Sequence, residues 1–493
     1  MNSPGEKRWK FSAWTLGLIL VLAALLRVYK LDGQLWLDEV VALVHSYRAP
    51  VWTILTKFPG HFPHPLYEQL AHVSLVLFGE SAFAIRLPAA IFGVGGIMMF
   101  YKLSRRISGN GDGEALLGAG LLAVSYHHIY YSQDARGYTL YLALALAATD
   151  RLLVLLDRMR WRTAMTYAIL AALAAFAQTA GLTLALGQIL VALLWARRGS
   201  PSRAGNAPTS RQLLGILGLC LCLILLLYSP IIADSISYTA LTAGHEVPAA
   251  TSGRVRDLLV ELVWGVAPTF SAAVFFIVGV TICVIGGWDL YRRTPVALAL
   301  MIMPVMISLG VMAAVRAAMH PRYSLLLLMT AYLMAARGLV ILGQRFLPRR
   351  AGWIRPSIAV LIVVLTALPL VSYYSMPKQD FLGAIREVRA AAAPSERTGV
   401  LDLVGVFKSI YPLPEFPVIN KLPELLREEA HGKGVWIVTT LERVEAKRRP
   451  DLLARLRDQY LLVRTLPAST GDCEMRIYHR PPVVPNQSGE PIP

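Results

Sequence analysis

Long apolar stretches recur along the chain from residue 11 to residue 374, separated by short polar segments. A helix that spans a bilayer needs about 20 mostly apolar residues, and by this criterion we predict about eleven spans, several of them short. The candidate spans are residues 11–29, 83–103, 115–131, 138–157, 161–178, 180–196, 212–233, 270–290, 294–315, 323–343 and 356–374. The pattern indicates an α-helical polytopic membrane protein.

The composition supports this interpretation. Of the 493 residues, 55% are hydrophobic and only 16% are charged, whereas soluble domains carry about 25% charged residues. The mean hydropathy is +0.52. The four cysteines lie mostly inside apolar stretches and indicate neither a disulfide framework nor a Cys-based metal site.

The net charge of +17 reflects membrane topology rather than a nucleic-acid partner. Lys and Arg lie mostly in short clusters at the ends of apolar runs. With a cytoplasmic N-terminus, the clusters at residues 158–162, 197–211, 291–294 and 344–355 all fall in the cytoplasm, as the positive-inside rule requires. We therefore expect a multi-pass protein of the cytoplasmic (inner) membrane that binds no nucleic acid.

The composition changes after Tyr374. Residues 376–480 carry ordinary charge and alternate helix-like stretches such as DFLGAIREVRAAAA with strand-like stretches such as GVWIVTT, which predicts a small α/β domain. We expect a transmembrane domain at 1–375 with an outer-face loop at 30–82, followed by the α/β domain and a disordered tail at 481–493. An odd number of spans places the α/β domain outside the cytoplasm.

Two adjacent carboxylates, Asp38 and Glu39, follow the first span in the outer loop. Charges near a bilayer are costly and are therefore candidates for function. The stretch at 36–57 has apolar residues at helical spacing, which favours a helix at the membrane interface. On a helix the two side chains point about 100° apart, so one can face a cavity while the other braces the loop. The alternative is that the pair only complements the charge of a helix N-terminus.

Further polar residues lie in separate outer segments, so that carboxylates, imidazoles and guanidinium groups can converge on one cavity. They are His61, His64, Gln133, Asp134, Arg136, His320 and Arg322. A single outer arginine is more often a topology or snorkelling residue than a ligand. Arg136 and Arg322, however, both fall on the outer side, where the positive-inside rule predicts few basic residues. The guanidinium fork is suited to binding a phosphate. Tyr138 is most simply an aromatic residue of the membrane interface.

The spacing of His61 and His64 raises the question of a zinc site. The two residues lie in a Pro-rich segment rather than on a regular helix, and no clear third ligand is nearby. We therefore assign no metal ligand and no certain cofactor, and a divalent metal is the less favoured alternative.

Four motifs occur in order along the membrane part. They are LRVYKLDGQLWLDEVVAL, HPLYEQLAHVSLVLFGESAFAIRLPAAIFG, YYSQDARGYTLYLALAL and HPRYSLLLLMTAYLMAARGL. Each motif is weak alone, but their order and spacing resemble the GT-C superfamily of membrane glycosyltransferases, particularly the protein O-mannosyltransferases and the lipid A aminoarabinose transferases. The four motifs carry the resemblance over residues 11–374.

The resemblance implies a mechanism as well as a fold. In that superfamily the donor is a sugar on a polyprenyl phosphate, and the acidic residue of the first outer loop is the catalytic base. By matching position, Asp38 would deprotonate the acceptor hydroxyl, and Glu39 would orient the acceptor or the loop. Arg136 and Arg322 would neutralise the departing polyprenyl phosphate.

The resemblance also implies a polar lining for the substrate site. Besides the two arginines, the residues assigned to substrate binding are His64, Arg86, Gln133, Asp134, Tyr138, His320 and Tyr323. Arg86 matches the family's arginine at the start of the second span, where chemistry alone assigns no role. The family commonly has two prolines after the position of His64, where this chain has Pro65 and Leu66.

The residues and the resemblance together predict inverting transfer of a sugar from a polyprenyl-phosphate-linked donor to an acceptor hydroxyl on the outer face of the cytoplasmic membrane. A single displacement needs a carboxylate base on one side of the anomeric carbon and a stabilised phosphate on the other. The expected partners are this donor, membrane lipids, and a protein, glycan or lipid acceptor. The alternative is a transporter or flippase of lipid-linked sugars, against which the absence of internal repeats and the C-terminal domain both weigh.

Overall fold

The computed structural model describes residues 4–57, 64–109, 111–198, 207–242, 270–314, 321–347, 353–469 and 473–482. Contacts divide the chain into two units, which we call the membrane unit and the C-terminal unit. The membrane unit comprises Met1–Leu31 and Ala49–Val371, and the C-terminal unit comprises Asp32–Arg48 and Ser372–Pro493. The segment that follows the first span therefore groups with the C-terminal residues.

The membrane unit is built from helices. They are Pro4–Val28, Val51–Thr56, Pro65–Phe78, Ala82–Ser108, Asp112–Ala123, Tyr126–Ser132, Tyr138–Asp157, Trp161–Ala177, Gly181–Arg197, Ser210–Thr242, Phe270–Arg293, Pro295–Ala314, Leu325–Phe346 and Ile354–Ala367, with a 3-10 turn at Pro321–Tyr323. The helix Pro369–Ser375 crosses the division between the units.

Many of these helices have the length and composition of membrane spans. Within the described ranges, six stretches are long and apolar enough to cross a bilayer: Ala82–Ser108, Tyr138–Asp157, Ser210–Asp234, Pro295–Ala314, Leu325–Phe346 and Ile354–Ser375. Shorter apolar helices are Ser12–Val28, Trp161–Ala177 and Gly181–Arg197. The prediction of a multi-pass helical membrane protein is confirmed, and the number of eleven spans stays a prediction.

The apolar run at 115–131 is two helices, not the one span that its hydrophobicity predicted. Asp112–Ala123 ends, and Tyr126–Ser132 begins after Ser125, whose hydroxyl accepts a hydrogen bond from the backbone N–H of His128 at 3.3 Å. Serine favours a helix start because it satisfies a backbone donor that has no partner within the helix. The hydrophobic pattern hides this break because apolar residues continue on both sides of it.

The stretch at 36–57 is likewise divided, where the sequence predicted one helix-like segment. Leu37–Ala42 continues as a π-helical turn at Leu43–Tyr47, and a separate helix, Val51–Thr56, begins after Pro50. Proline disfavours the helical conformation of the residue before it, which explains the break.

Two helices of the membrane unit pack with their backbones in contact. A Cβ on Gly338 would lie 2.1 Å from the carbonyl oxygen of Ile282, and a Cβ on Gly286 would lie 1.8 Å from another backbone oxygen. Small residues let membrane helices approach closely, and here only glycine fits. These glycines therefore bring Phe270–Arg293 against Leu325–Phe346.

A buried ion-pair network joins three helices of the same unit. The guanidinium of Arg337, which is 2% exposed, lies 2.9 Å from Glu114 Oε2 and 2.7 Å from Asp289 Oδ2. Asp289 also pairs with Arg293 at 2.8 Å, one helical turn away. Removing one member of a buried ion pair leaves an uncompensated charge. The charged side chain on each of the three helices therefore needs its partners on the other helices.

We expect Arg337→Met to lower the free energy of unfolding by about 3–5 kcal/mol, because Glu114 stays buried without this guanidinium. Arg293→Met is the matched control. Its side chain is 56% exposed, so we expect a change below about 1 kcal/mol. Thermal unfolding of the purified protein in detergent measures both, and equal shifts would contradict the role of the network.

The C-terminal unit combines helices with one sheet. Its helical segments are Leu37–Ala42, Leu43–Tyr47, Phe381–Ala391, Asp402–Gly405, Val406–Ser409, Leu422–Glu429, Glu442–Arg448 and Pro450–Gln459. Its strands are β1 (Arg397–Leu401), β2 (Val418–Ile419), β3 (Val435–Thr439), β4 (Leu461–Leu466) and β5 (Met475–Arg480). An α/β organisation is thus present where the sequence predicted it. Residues 483–493 of the predicted tail lie outside the described residues.

The sheet is mixed, with the strand order β2-β1-β3-β5-β4. β1 pairs parallel with β2 and β3, whereas β5 pairs antiparallel with β3 and β4. All five residues of the central strand β3 are buried, as its continuous apolar sequence predicts for a strand covered on both faces. Ile437 of this strand belongs to a core cluster that includes Leu425, Leu453 and Leu456 of the flanking helices.

Candidate functional site

A polar cavity lies in the membrane unit, where the ends of several helices meet. It is lined by His64, Arg136, Tyr138, Gln178, Thr179, Arg322 and Tyr323. Its volume of about 20 Å³ holds roughly one water molecule, so a larger group binds only if lining side chains move apart. Five of the lining residues were predicted from the sequence to bind substrate.

His64 is held rigidly beside the cavity. Its backbone N–H donates to Glu68 Oε1 at 3.0 Å, and Pro65 opens the helix that follows, where its fixed φ is favourable. The ring Nδ1 lies 3.0 Å from the carbonyl oxygen of Ala177, and the ring packs edge-on against Tyr138 with centroids 5.2 Å apart. A carbonyl oxygen only accepts, so Nδ1 carries the proton and the lone pair of the neutral ring is on Nε2.

Gly137 allows three chain segments to meet at this point. A Cβ on Gly137 would lie 2.2 Å from the carbonyl oxygen of Ala177 and 3.0 Å from His64 Nδ1. The hydrogen bond that orients the His64 ring therefore exists only because residue 137 has no side chain. Gly137 also directly precedes the helix Tyr138–Asp157, so the same turn places Arg136 and Tyr138 at the cavity.

The second arginine reaches the cavity from the turn Pro321–Tyr323. Gln178 is 2% exposed, and its Nε2 donates to the backbone carbonyl of Arg322 at 3.3 Å. The guanidinium of Arg322 lies over the ring of Tyr323, 5.6 Å from the centroid. Gln178 thus connects the end of Trp161–Ala177 to the turn that carries Arg322.

Two of the lining residues, Gln178 and Thr179, were not predicted from the sequence as site residues. They form a turn of a few residues between Trp161–Ala177 and Gly181–Arg197, too short to stand out as a loop. Their position at the end of a predicted span could have revealed them. Alternate span ends lie on the same face of the membrane, so these two residues share a face with the other predicted site residues. A glutamine amide at the end of a span is costly unless it is hydrogen-bonded. The Oε1 atom of Gln178 is buried and accepts no hydrogen bond within the described part of the chain.

The cavity is suited to an oxyanion. Arg136 is 6% exposed, and Arg322 is partly buried. Two guanidinium groups in a sheltered site attract an anion more strongly than exposed ones, because water screens them less. The histidine, the tyrosines and Gln178 add neutral hydrogen-bonding groups, so the lining offers charged and neutral partners to phosphate oxygens once its side chains move apart.

Two of the other predicted substrate-binding residues donate hydrogen bonds to backbone carbonyls near this turn, and a third is buried in it. Gln133 Nε2 donates to the carbonyl oxygens of Arg27 and Tyr29 at 2.9 and 2.7 Å, at the end of the first helix. Arg86 Nη1 donates to the carbonyl oxygen of Leu31 at 2.9 Å. The last carbonyls of a helix lack partners within the helix, so these side chains stabilise its end. The third residue, Asp134, is 1% exposed in the same turn.

Arg27, which the sequence analysis did not single out, fixes the chain ahead of Arg136. It is fully buried, and its guanidinium donates to Ser132 Oγ at 3.1 Å, to the carbonyl oxygen of Ala123 at 3.0 Å and to His128 Nδ1 at 2.6 Å. The first helix is therefore joined to both ends of the segment that leads into the cavity turn.

The predicted acidic pair belongs to the C-terminal unit. Asp38 and Glu39 lie in the first turn of Leu37–Ala42. Glu39 is fully buried, and its Oε2 accepts a hydrogen bond from the backbone N–H of Trp36 at 3.3 Å, which closes the start of the helix. Asp38 is partly exposed. The two neighbours thus differ in environment, with Glu39 bound into the loop.

The remaining histidines of the predicted site, His61 and His320, lie outside the described residues. In the ranges that are described, no group of three or more His, Cys, Asp or Glu side chains is arranged to hold a metal ion.

Solved structures identify the architecture. The structure of ArnT from Cupriavidus metallidurans in the apo state matches with a TM-score of 0.55 and 14% identity, over 95% of this chain and 98% of that one. The two chains therefore share a fold along nearly their whole length. The same ArnT bound to undecaprenyl phosphate matches with a TM-score of 0.52 and 13% identity, over the same shares of the two chains.

A further solved structure and one protein family are also similar to this chain. Archaeal oligosaccharyltransferase AglB from Archaeoglobus fulgidus, in complex with an inhibitory peptide and a dolichol-phosphate, matches with a TM-score of 0.51 and 15% identity, over 92% of this chain and 73% of that one. The family model of dolichyl-phosphate-mannose-protein mannosyltransferases matches residues 61–232. No curated protein matches the sequence. The predicted resemblance to the GT-C superfamily is confirmed.

We expect Gly137→Ala to lower the free energy of unfolding by roughly 1–3 kcal/mol, because the new methyl group collides with the Ala177 carbonyl. Gly95→Ala is the control, since a Cβ there meets nothing within 4 Å, and alanine is favoured over glycine inside a helix by up to about 1 kcal/mol. Thermal unfolding in detergent compares the two variants. A Gly137→Ala protein as stable as Gly95→Ala would show that this close approach is not needed.

Proposed function

We propose that the protein transfers a sugar, with inversion, from a polyprenyl-phosphate-linked donor to an acceptor hydroxyl on the outer face of the cytoplasmic membrane. The observation that carries the proposal is the cavity lined by Arg136 and Arg322 in a chain with a GT-C fold. The membrane fold suits a donor that is anchored in the bilayer, and the two arginines suit the phosphate of that donor.

Arg136 and Arg322 bind the donor phosphate and stabilise it as it leaves. When the bond from the anomeric carbon to the phosphate oxygen breaks, negative charge develops on that oxygen, and positioned guanidinium groups lower the barrier by stabilising this charge. Arginine suits the role because its donors form a rigid fork that matches phosphate oxygens. Gln178, Tyr323 and His64 complete the polar lining.

Asp38 is the general base, and Glu39 supports its loop. A carboxylate that removes the proton of the acceptor hydroxyl makes that oxygen nucleophilic, and attack opposite the leaving phosphate inverts the anomeric carbon. The partial exposure of Asp38 suits contact with an acceptor, whereas the buried carboxylate of Glu39 accepts from the backbone N–H of Trp36.

The ligands of the similar structures support the class of donor. ArnT is bound to undecaprenyl phosphate in one of them, and AglB is in complex with a peptide and a dolichol-phosphate in another. A polyprenyl phosphate as donor carrier is therefore in keeping with this fold. The orientation that we propose, with a cytoplasmic N-terminus and an extracytoplasmic C-terminal unit, rests on the charge bias of the loops.

We expect Asp38→Asn to reduce sugar transfer by about 10²- to 10⁴-fold, the range typical for loss of a general base. Asp32→Asn, in the same segment, is the control and should keep wild-type activity. The measurement is release of free polyprenyl phosphate by the purified protein from a panel of polyprenyl-phosphate sugars, with membrane extract as the acceptor source. Transfer by Asp38→Asn at the wild-type rate would remove Asp38 from the role of base.

We expect Arg322→Gln to raise the KM for the donor about tenfold or more, because a charge-assisted hydrogen bond contributes about 1.5–3 kcal/mol. Arg162→Gln, at an exposed position of another helix, is the control and should leave KM unchanged. The same release assay, run over a range of donor concentrations, gives both values. Movement of an intact donor between leaflets, without any cleavage, would favour a flippase instead.

A further inference from the structure

We infer that Gln379 of the C-terminal unit is a positioning residue for the Asp38 carboxylate, acting as the N-terminal cap of the helix that carries it. The inference deepens the proposed function and rests on it, because it takes Asp38 to be the base. It assigns to the C-terminal unit a part in catalysis, as the element that holds the base in place.

The contacts form a reciprocal pair of glutamines. Gln379 Oε1 accepts a hydrogen bond from the backbone N–H of Leu37 at 3.0 Å. The backbone carbonyl of Gln379 accepts from Gln34 Nε2 at 3.1 Å, and Gln34 Oε1 accepts from the backbone N–H of Leu382 at 3.2 Å. Three hydrogen bonds thus join residues 34–37 to residues 379–382.

The hydrogen bond from the N–H of Leu37 to Gln379 caps the N-terminus of the helix Leu37–Ala42. The first backbone N–H groups of a helix have no partner within it, and a side-chain oxygen of the preceding residue usually satisfies one of them. Here the preceding residue is Trp36, which provides no such side-chain cap. Gln379 supplies the oxygen instead, from 342 positions along the chain.

Capping at Leu37 bears directly on Asp38, the next residue. The direction of a helical side chain follows from the backbone at its own position. Fixing the N–H of Leu37 therefore restricts the rotation and fraying of the first turn, which is where Asp38 and Glu39 lie. Glu39 holds the same turn from the other side through the N–H of Trp36.

Gln379 is itself held in place. It is 1% exposed, and its Nε2 donates to Thr440 Oγ1 at 2.8 Å. Thr440 follows strand β3 and donates in turn to the carbonyl oxygen of Glu474 at 3.1 Å, just before β5. The neighbouring Lys378 places its ammonium 5.8 Å from the centroid of the Trp36 ring. The cap is thus anchored to the sheet of the C-terminal unit.

The test uses the full-length purified protein and the release assay for free polyprenyl phosphate. Gln379→Leu keeps the volume of the side chain and removes the cap. A displacement of about 1 Å in a catalytic group lowers rates by up to about 10²-fold, so we expect kcat to fall 10- to 100-fold with the KM for the donor nearly unchanged.

Tyr478→Phe is the matched control within the same unit. Its buried hydroxyl donates to Glu442 Oε1 at 2.6 Å, so the variant also loses one buried hydrogen bond, but not one near Leu37. A kcat of Gln379→Leu that falls no further than that of Tyr478→Phe would overturn the inference.

Hydrogen–deuterium exchange separates this inference from the proposed function. We expect Gln379→Leu to speed exchange of the amides at residues 37–42, and Tyr478→Phe to leave them at the wild-type rate. Unchanged exchange in Gln379→Leu would overturn the capping role whatever the activity. If the wild-type protein releases polyprenyl phosphate from no donor, the proposed function fails and the positioning role in catalysis fails with it. Faster exchange would then establish the cap alone.

Discussion

Hydrogen bonds from buried side chains to backbone carbonyls hold the turns of the membrane unit together. The backbone N–H and C=O groups at helix ends have no partner within the helix. Inside a bilayer or a protein core no water is available to them, so other protein groups must form these hydrogen bonds. His64 donates to Ala177, Gln178 to Arg322, and Gln133 to the end of the first helix. The shape of the cavity depends on these bonds, because they determine which turns meet there.

Buried arginines serve two different purposes in this fold. Arg27 and Arg337 each bind groups on other helices, and they join helices by satisfying groups that would otherwise be buried without hydrogen bonds. Arg136 and Arg322 line the cavity instead. In the proposed function, these two positioned guanidinium groups bind the donor phosphate.

The same principle extends to the C-terminal unit, where a helix start is completed by a residue distant in sequence. Leu37–Ala42 is too short to be stable alone, since isolated helices of fewer than about 12–15 residues are marginal in water. Its conformation therefore depends on the tertiary hydrogen bond from the N–H of Leu37 to Gln379, together with the local bond from the N–H of Trp36 to the buried Glu39. A proposed catalytic carboxylate on such a helix is only as well oriented as the groups that cap it.

The sequence by itself determined the apolar helices, the change to an α/β unit after residue 376, and five residues of the cavity. The helices and the α/β unit follow from local pattern, because the length and period of apolar residues specify a helix or strand wherever it lies. The five cavity residues came from the polar segments between the spans and from the resemblance to the GT-C superfamily. Only the tertiary structure decided the presence of Gln178 in the cavity and the capping role of Gln379. Each depends on atoms that meet only after folding, as the 342 positions between Leu37 and Gln379 show, and no local pattern specifies such a meeting.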